Sequence, residues 1–202
     1  MEFQVGDKID SALVKTVTHE FSRCQVALNQ FIYLKTQNML SGNSEDKKIS
    51  IAIYNAYSLF VLHLYEFYIG CIIRGRMNTT KLKWDVLDNI INFEVDKTLT
   101  NWRDSIDNNY APSWANHRSY YEDSCPPEFG IDFRSIRNSI AHVDYRRIDG
   151  ENRIKLSDFY LKYHKYIMLL FEQGRYLWTI KDYNHIDLGD VSEFNKLINK
   201  KL

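Results

Sequence analysis

The sequence predicts an all-α fold, and three observations support this. Only 8 glycines and 3 prolines punctuate the 202 residues, which favours long helices over many short strands. Apolar residues recur at alternating spacings of three and four, as on one face of a helix. Apolar residues make up 45% of the chain and aromatic residues 14%, which is typical of a globular domain with a full core. We expect four to five long helices in a single domain over residues 1–202, with a core at about 10–178 and an extension at about 179–202.

Charge and cysteine content narrow the classes of function. The formal net charge is zero, so any contact with nucleic acid must come from a local basic patch. Cys24, Cys71 and Cys125 are odd in number and widely spaced, without a CxxC pair. This pattern argues against a disulfide framework and against a zinc site, and favours a reducing compartment. No signal peptide is visible, so we expect a cytoplasmic protein. We also expect no metal and no cofactor.

The first half of the chain predicts a pair of long helices. The first spans about 10–40 and ends at Gly42, which suits the left-handed position after a helix, and Ser44 is the expected cap of the second. The second spans about 46–76, and its 51–73 stretch has the length of a membrane span. Polar side chains interrupt that stretch, so we expect a central bundle helix and no membrane contact. These interruptions are Asn55, Ser58, His63 and Glu66.

A third helix is predicted at about 82–108, and an irregular, aromatic-rich segment follows it at 110–127. Two interpretations of this segment stay open. It either covers the core, or it offers ring stacking and charge to a base and a phosphate. The residues for the second role would be His117, Arg118, Tyr120 and Tyr121.

The chain is organised around a helix predicted to begin near Gly130. Asn138 and His142 are four apart and share one face, with Arg134 beside it, and Arg137 lies between this face and the apolar one. This arrangement is either a solvated polar face or a site. A histidine can transfer protons near neutral pH, and a fixed arginine can hold a phosphate. The apolar stripe, expected to be buried against the second helix, contains Phe133, Ile136, Ile140 and Val143.

A small β-hairpin is predicted at 145–156, directly after this helix. It contains Tyr145 and places the basic residues Arg146 and Arg147 close after His142. Alternatively, these arginines form a solvated rim that keeps the edge of the strand from aggregating. Ser157 is the expected cap of the last long helix, and the tail at 187–202 predicts a short amphipathic helix.

The string Arg137-Asn138-Ser139-Ile140-Ala141-His142 resembles the signature of the HEPN superfamily, in which an arginine and a histidine lie late in a helix of an all-α bundle. The close match covers roughly fifteen residues. The resemblance implies a HEPN-like bundle acting as a metal-independent endoribonuclease, in a bacterial toxin or phage-defence role. It also implies a homodimer in which two such helices face one another.

The resemblance also assigns roles to residues. Arg137, His142 and Asn138 would be catalytic, and Glu66 on the neighbouring helix would orient Arg137. RNA contacts are expected from Arg134, Tyr145, Arg146 and Arg147.

Two alternatives remain open at this point. Some HEPN toxins carry a His-x-Tyr continuation whose tyrosine is modified by a nucleotidyltransferase antitoxin. Here one extra residue separates His142 from Tyr145, which argues against an antitoxin of that kind. Another antitoxin, or an activator protein, stays open. The alternative function is a non-catalytic module for dimerisation or for binding a nucleotide or RNA.

Overall fold

The computed structural model of the chain describes residues 1–42, 46–141, 154–178 and 188–199. Within these ranges the protein is all-helical, as predicted, and no residue lies in a named strand, although Glu2 and Asn78 form an isolated antiparallel bridge. A short 3₁₀ turn covers Arg118–Tyr121. The described residues form six α-helices, which are α1 (Lys8–Ser41), α2 (Lys47–Gly75), α3 (Trp84–Asp107), α4 (Phe129–Ala141), α5 (Leu156–Leu177) and α6 (Gly189–Ile198).

Side-chain caps define the start of the first two helices. The Asp7 carboxylate accepts hydrogen bonds from the backbone N–H groups of Ile9 and Asp10 and so begins α1. Helix α1 ends at Gly42, whose φ of 64° is the left-handed conformation predicted for it. Asp46 caps α2, in place of the predicted Ser44, which lies outside the described residues.

The start of α5 corrects two predictions. Ser157 lies inside the first turn, and the residue before the helix is Lys155, whose side chain makes no capping bond. Leu156, the predicted end of the β-hairpin, is instead the first residue of α5 and is buried against the core. Burial of this leucine explains why the helix begins earlier than the serine. The rest of the predicted hairpin, up to Arg153, lies outside the described residues.

Helices α1 and α2 form an antiparallel hairpin. The rings of Phe21 and Phe67 lie 4.9 Å apart, and the rings of Phe31 and Tyr57 pack at the same distance further along. Near the other end of the pair, the Arg74 Nε donates to the Asp10 carboxylate at 2.7 Å. Aromatic packing and the Arg74–Asp10 ion pair therefore help to fix the register of the two longest helices.

Helix α4 packs against α2, α3 and α5. Its Phe133 ring meets the Tyr65 ring edge-on at 5.1 Å. Phe133 and Ile136 are buried as predicted, but Ile140 is only half-buried and Ser139 is buried instead. Contact with three neighbours gives α4 a buried face wider than one stripe, which explains the difference. The last predicted member of the stripe, Val143, lies outside the described residues.

The aromatic segment before α4 packs on α3. The Tyr121 ring stacks on the Trp102 ring at 5.4 Å, and Arg103 donates to the Tyr121 carbonyl oxygen at 2.6 Å. Arg118, one of the residues considered for RNA contact, is held by the carboxylates of Asp107 and Glu122. The contacts of this segment therefore match the first of its two interpretations, a cover for the core.

Within the described chain, α2 alone has the length and hydropathy of a membrane span. Half of its most apolar window is buried inside the protein. Core helices of soluble proteins pass the same test, and α2 packs against α1, α4 and α5.

Candidate functional site

Arg137 on α4 forms an ion pair with Glu66 on α2. Its Nε donates to Glu66 Oε1, and its Nη2 lies against the same oxygen. The two side chains are 28% and 30% exposed, so the pair lies at the surface without being fully solvated. The predicted pairing of these residues is confirmed.

Two further contacts hold the Arg137 guanidinium. Its Nη1 donates to the Asn138 Oδ1 at 3.0 Å, and its Cζ lies 5.9 Å from the centre of the Tyr65 ring. A guanidinium has five N–H donors, and Glu66 and Asn138 take three of them within the described structure. The arginine is thus oriented by its neighbours and keeps donors for a phosphate.

Asn138 accepts a hydrogen bond from Arg137 through its side-chain oxygen. Its predicted catalytic role stays a prediction. His142 follows Ala141, the last residue of α4, and lies outside the described residues. The predicted RNA contacts Tyr145, Arg146 and Arg147 also lie outside them.

Arg134 is bound to the neighbouring helix α3. Its Nε and Nη2 donate to the Asp88 carboxylate at 2.9 and 2.8 Å, and its Cζ lies 5.3 Å from the Trp84 ring centre. The Asp88 side chain is only 5% exposed, so this pair stabilises the packing of α4 on α3. Contact between Arg134 and RNA stays a prediction.

A second titratable pair lies close by on α2. His63 Nδ1 and Glu20 Oε2 are 2.8 Å apart, which joins α2 to α1. Burial disfavours the charged form of Glu20, but the hydrogen bond and positive charge of His63 hold the carboxyl pKa below its usual value. The sequence showed His63 only as a polar interruption of an apolar helix and did not identify Glu20 as its partner. The antiparallel register of α1 and α2 brings the two together.

These two pairs flank one strip of α2, which is exposed at its first two residues and half-buried at its last two. Its members, spaced by four, three and four, are Asn55, Leu59, Leu62 and Glu66, and we call them the α2 strip. Arg137 borders it from the α4 side, and the His63–Glu20 pair borders it from the α1 side. His63 and Glu66 are three apart and therefore neighbours on the helix surface.

The chemistry available at the strip combines a fixed cation with a proton-transfer group. Arg137 can bind and neutralise a phosphoryl oxygen. Histidine is a side chain suited to proton transfer near neutral pH, and the His63 ring is held in place by Glu20. Among the described residues, no cluster of three or more histidine, cysteine or acidic side chains is placed to hold a metal ion.

Comparison of the chain with protein-family models, with curated proteins and with solved structures finds no match.

Proposed function

We propose that the protein is a metal-independent endoribonuclease of the HEPN type. The observation that carries the proposal is the anchored arginine: Glu66 and Asn138 orient Arg137 late in α4, five residues before His142 in the sequence. An arginine fixed in this way is preorganised to stabilise charge on a phosphate, with no reorganisation during the reaction.

In the proposed reaction the ribose 2′-oxygen attacks the adjacent phosphorus. The new O2′–P bond forms, the P–O5′ bond breaks, and the products carry a 2′,3′-cyclic phosphate and a 5′-hydroxyl. The proton of the 2′-hydroxyl goes to a base, and the departing 5′-oxygen receives one from an acid. His142 performs one of these two transfers, and Arg137 stabilises the negative charge on the phosphoryl oxygens.

The remaining residues support this chemistry. Glu66 and Asn138 keep the guanidinium in place, while Arg134, Tyr145, Arg146 and Arg147 contact the RNA on either side of the cut. We place the enzyme in the cytoplasm as a homodimer without metal or cofactor. Its biological role is that of a bacterial toxin or phage-defence effector, under the control of an antitoxin or activator protein.

The test is cleavage of end-labelled RNA by purified protein in EDTA. Arg137→Ala should reduce the rate by about 10²–10³-fold, and His142→Ala by about 10²–10⁴-fold. Arg118→Ala is a matched control, because Arg118 is also held by two carboxylates but lies outside the site. It should cleave at the wild-type rate. A requirement for Mg²⁺, or cleavage by the Arg137→Ala, His142→Ala double variant, would contradict the proposal.

One observation favours the alternative, a module that binds RNA or dimerises without catalysis. Glu66 occupies one edge of the Arg137 guanidinium, the edge that a bidentate phosphate would otherwise use. A wild-type protein that binds RNA in a filter assay without cutting it, and loses binding with Arg137→Ala, would establish this alternative.

A further inference from the structure

A groove separate from the Arg137–Glu66 pair opens at one end of the bundle. It has a volume of about 730 Å³ and lies where the second half of α1, the first half of α2 and the start of α5 meet. This volume falls in the range of small-molecule sites. None of its described lining residues belongs to the α2 strip or to the His63–Glu20 pair.

One wall of the groove is aromatic. The rings of Phe31 and Tyr57 are 4.9 Å apart, and those of Tyr57 and Tyr160 are 5.1 Å apart. Beneath them His164 stacks on Tyr160 at 4.5 Å and hydrogen-bonds the Tyr57 hydroxyl at 3.1 Å. Because the rings hold one another, the wall is preformed. Phe31 and Tyr57 are only 7% and 3% exposed, so the wall offers apolar surface to a planar ring chiefly through Tyr160.

The groove is also positively charged. Lys35 projects from α1, Lys155 precedes α5, and none of the described lining residues is acidic. Neither lysine forms an ion pair with a carboxylate of the described chain. Helix α5 begins here without a side-chain cap, so its first N–H groups add partial positive charge, which Asp158 in the first turn offsets in part. An anion is therefore the complementary group.

A third feature is an acceptor without a donor. The Asn38 side-chain oxygen lines the groove, is shielded from solvent, and has no hydrogen-bond partner within the described structure. Buried acceptors of this kind are almost always paired. A ligand that donates an N–H to this oxygen would satisfy it.

We propose that this groove binds a planar heteroaromatic anion of the purine mononucleotide class. The ring lies against the Phe31–Tyr57–Tyr160 wall, and its amino group donates to Asn38. The phosphate is held by Lys35 and Lys155. This site is independent of the proposed ribonuclease activity. It gives a role to the aromatic wall, to the two lysines and to the Asn38 oxygen, none of which belongs to the Arg137 site.

Calorimetric titration with AMP, adenosine and inorganic phosphate separates the contributions of ring and charge. We expect AMP to bind at least about tenfold more tightly than adenosine or phosphate, because only AMP contacts both the aromatic wall and the two lysines. The Lys35→Gln, Lys155→Gln double variant should weaken AMP binding at least about tenfold and leave adenosine binding unchanged. Both lysines are exposed, so circular dichroism should show an unchanged melting temperature.

The matched control is Lys165→Gln, which removes a lysine that pairs with Asp123 elsewhere on the surface. It should bind AMP as the wild type does. Three outcomes would overturn the proposal: no AMP binding at millimolar concentration, equal affinity for phosphate and AMP, or AMP binding that the double lysine variant leaves unchanged.

Discussion

Arg74, Arg134 and Arg137 each cross from one helix to a single carboxylate on another. Their partners are Asp10, Asp88 and Glu66. The Asp10 and Asp88 side chains are each only 5% exposed, so these charges are stable only while paired.

Asp10 gives a pH-dependent prediction. The hydrogen bonds from Arg74 and from the Gly6 N–H hold the pKa of the Asp10 carboxyl below its usual value. Its stabilising contribution is therefore fully present above the unfolded pKa of about 4, and it is lost as the pH falls through the lower folded pKa. We expect Asp10→Asn to lower the free energy of unfolding at pH 7, by an amount that shrinks as the pH falls through the lowered folded pKa of Asp10.

Urea denaturation of both proteins at several pH values measures this difference. Asp104→Asn, at an exposed position of α3, serves as the control and should match the wild type throughout. A destabilisation by Asp10→Asn that is equally large at low and neutral pH would show that packing, not the charge, is responsible.

Some residue contacts of the site were predictable and others were not. The Glu66–Arg137 pair followed from the motif and from a carboxylate in an apolar helix. Asp88 could not be recognised as buried, because its burial depends on how closely α4 approaches α3. The contact between Asn138 and Arg137 was not predicted either. The helical pattern placed Asn138 on one face with position 142, whereas its side-chain oxygen accepts from the adjacent Arg137.

At the scale of the helices, Gly130 sets how closely α4 lies on α3. A Cβ atom built at this position would fall 2.3 Å from the Asp88 carbonyl oxygen, and the Gly130 N–H donates to the Asn92 side chain at 2.7 Å. No side chain fits between the two backbones.

Gly130→Ala should therefore destabilise the protein by about 1–3 kcal/mol, as overpacking typically does. Gly75→Ala is the matched control, since a Cβ there meets no atom within 4 Å. It should be neutral or slightly stabilising. Urea denaturation measures the free energy of unfolding of the two variants. Equal values would argue against the close α3–α4 contact at Gly130.

The helices themselves were largely predictable, because apolar periodicity and capping residues are local signals. The predicted first three helices, at about 10–40, 46–76 and 82–108, end within two residues of α1, α2 and α3. The errors at Ile140 and Ser157 have a tertiary origin: α4 has three neighbours, and burial of Leu156 starts α5 early.

For the whole molecule, the proposed homodimer makes a prediction about the α2 surface. Leu59 in the α2 strip is 42% exposed, and Ile51 and Tyr54 nearby are 61% and 45% exposed. Apolar side chains beside a charged site suit an interface between two copies. We expect the 24.0 kDa chain to form a dimer, and Leu59→Glu to convert it to a monomer, because the new carboxylates would meet in the interface.

Light scattering at micromolar concentration measures the mass of each protein. Leu161→Glu on α5 is the control, since Leu161 is 82% exposed and far along the chain from the strip, and it should stay dimeric. A wild-type protein found only as a monomer would contradict the proposed homodimer, in which the Arg137–His142 helices of two copies face one another.

The arginine–carboxylate pairs also have an evolutionary consequence. Glu66 and Arg137 are 71 positions apart, and Asp88 and Arg134 are 46 apart. Loss of one partner would leave the other without its ion pair, and the buried Asp88 carboxylate is not stable alone. In an alignment of homologous chains, the two columns of each pair should therefore covary, with both charges kept or both replaced. A profile that requires a glutamate on one helix and an Arg-x4-His string on a later one would detect distant relatives more selectively than the short string alone.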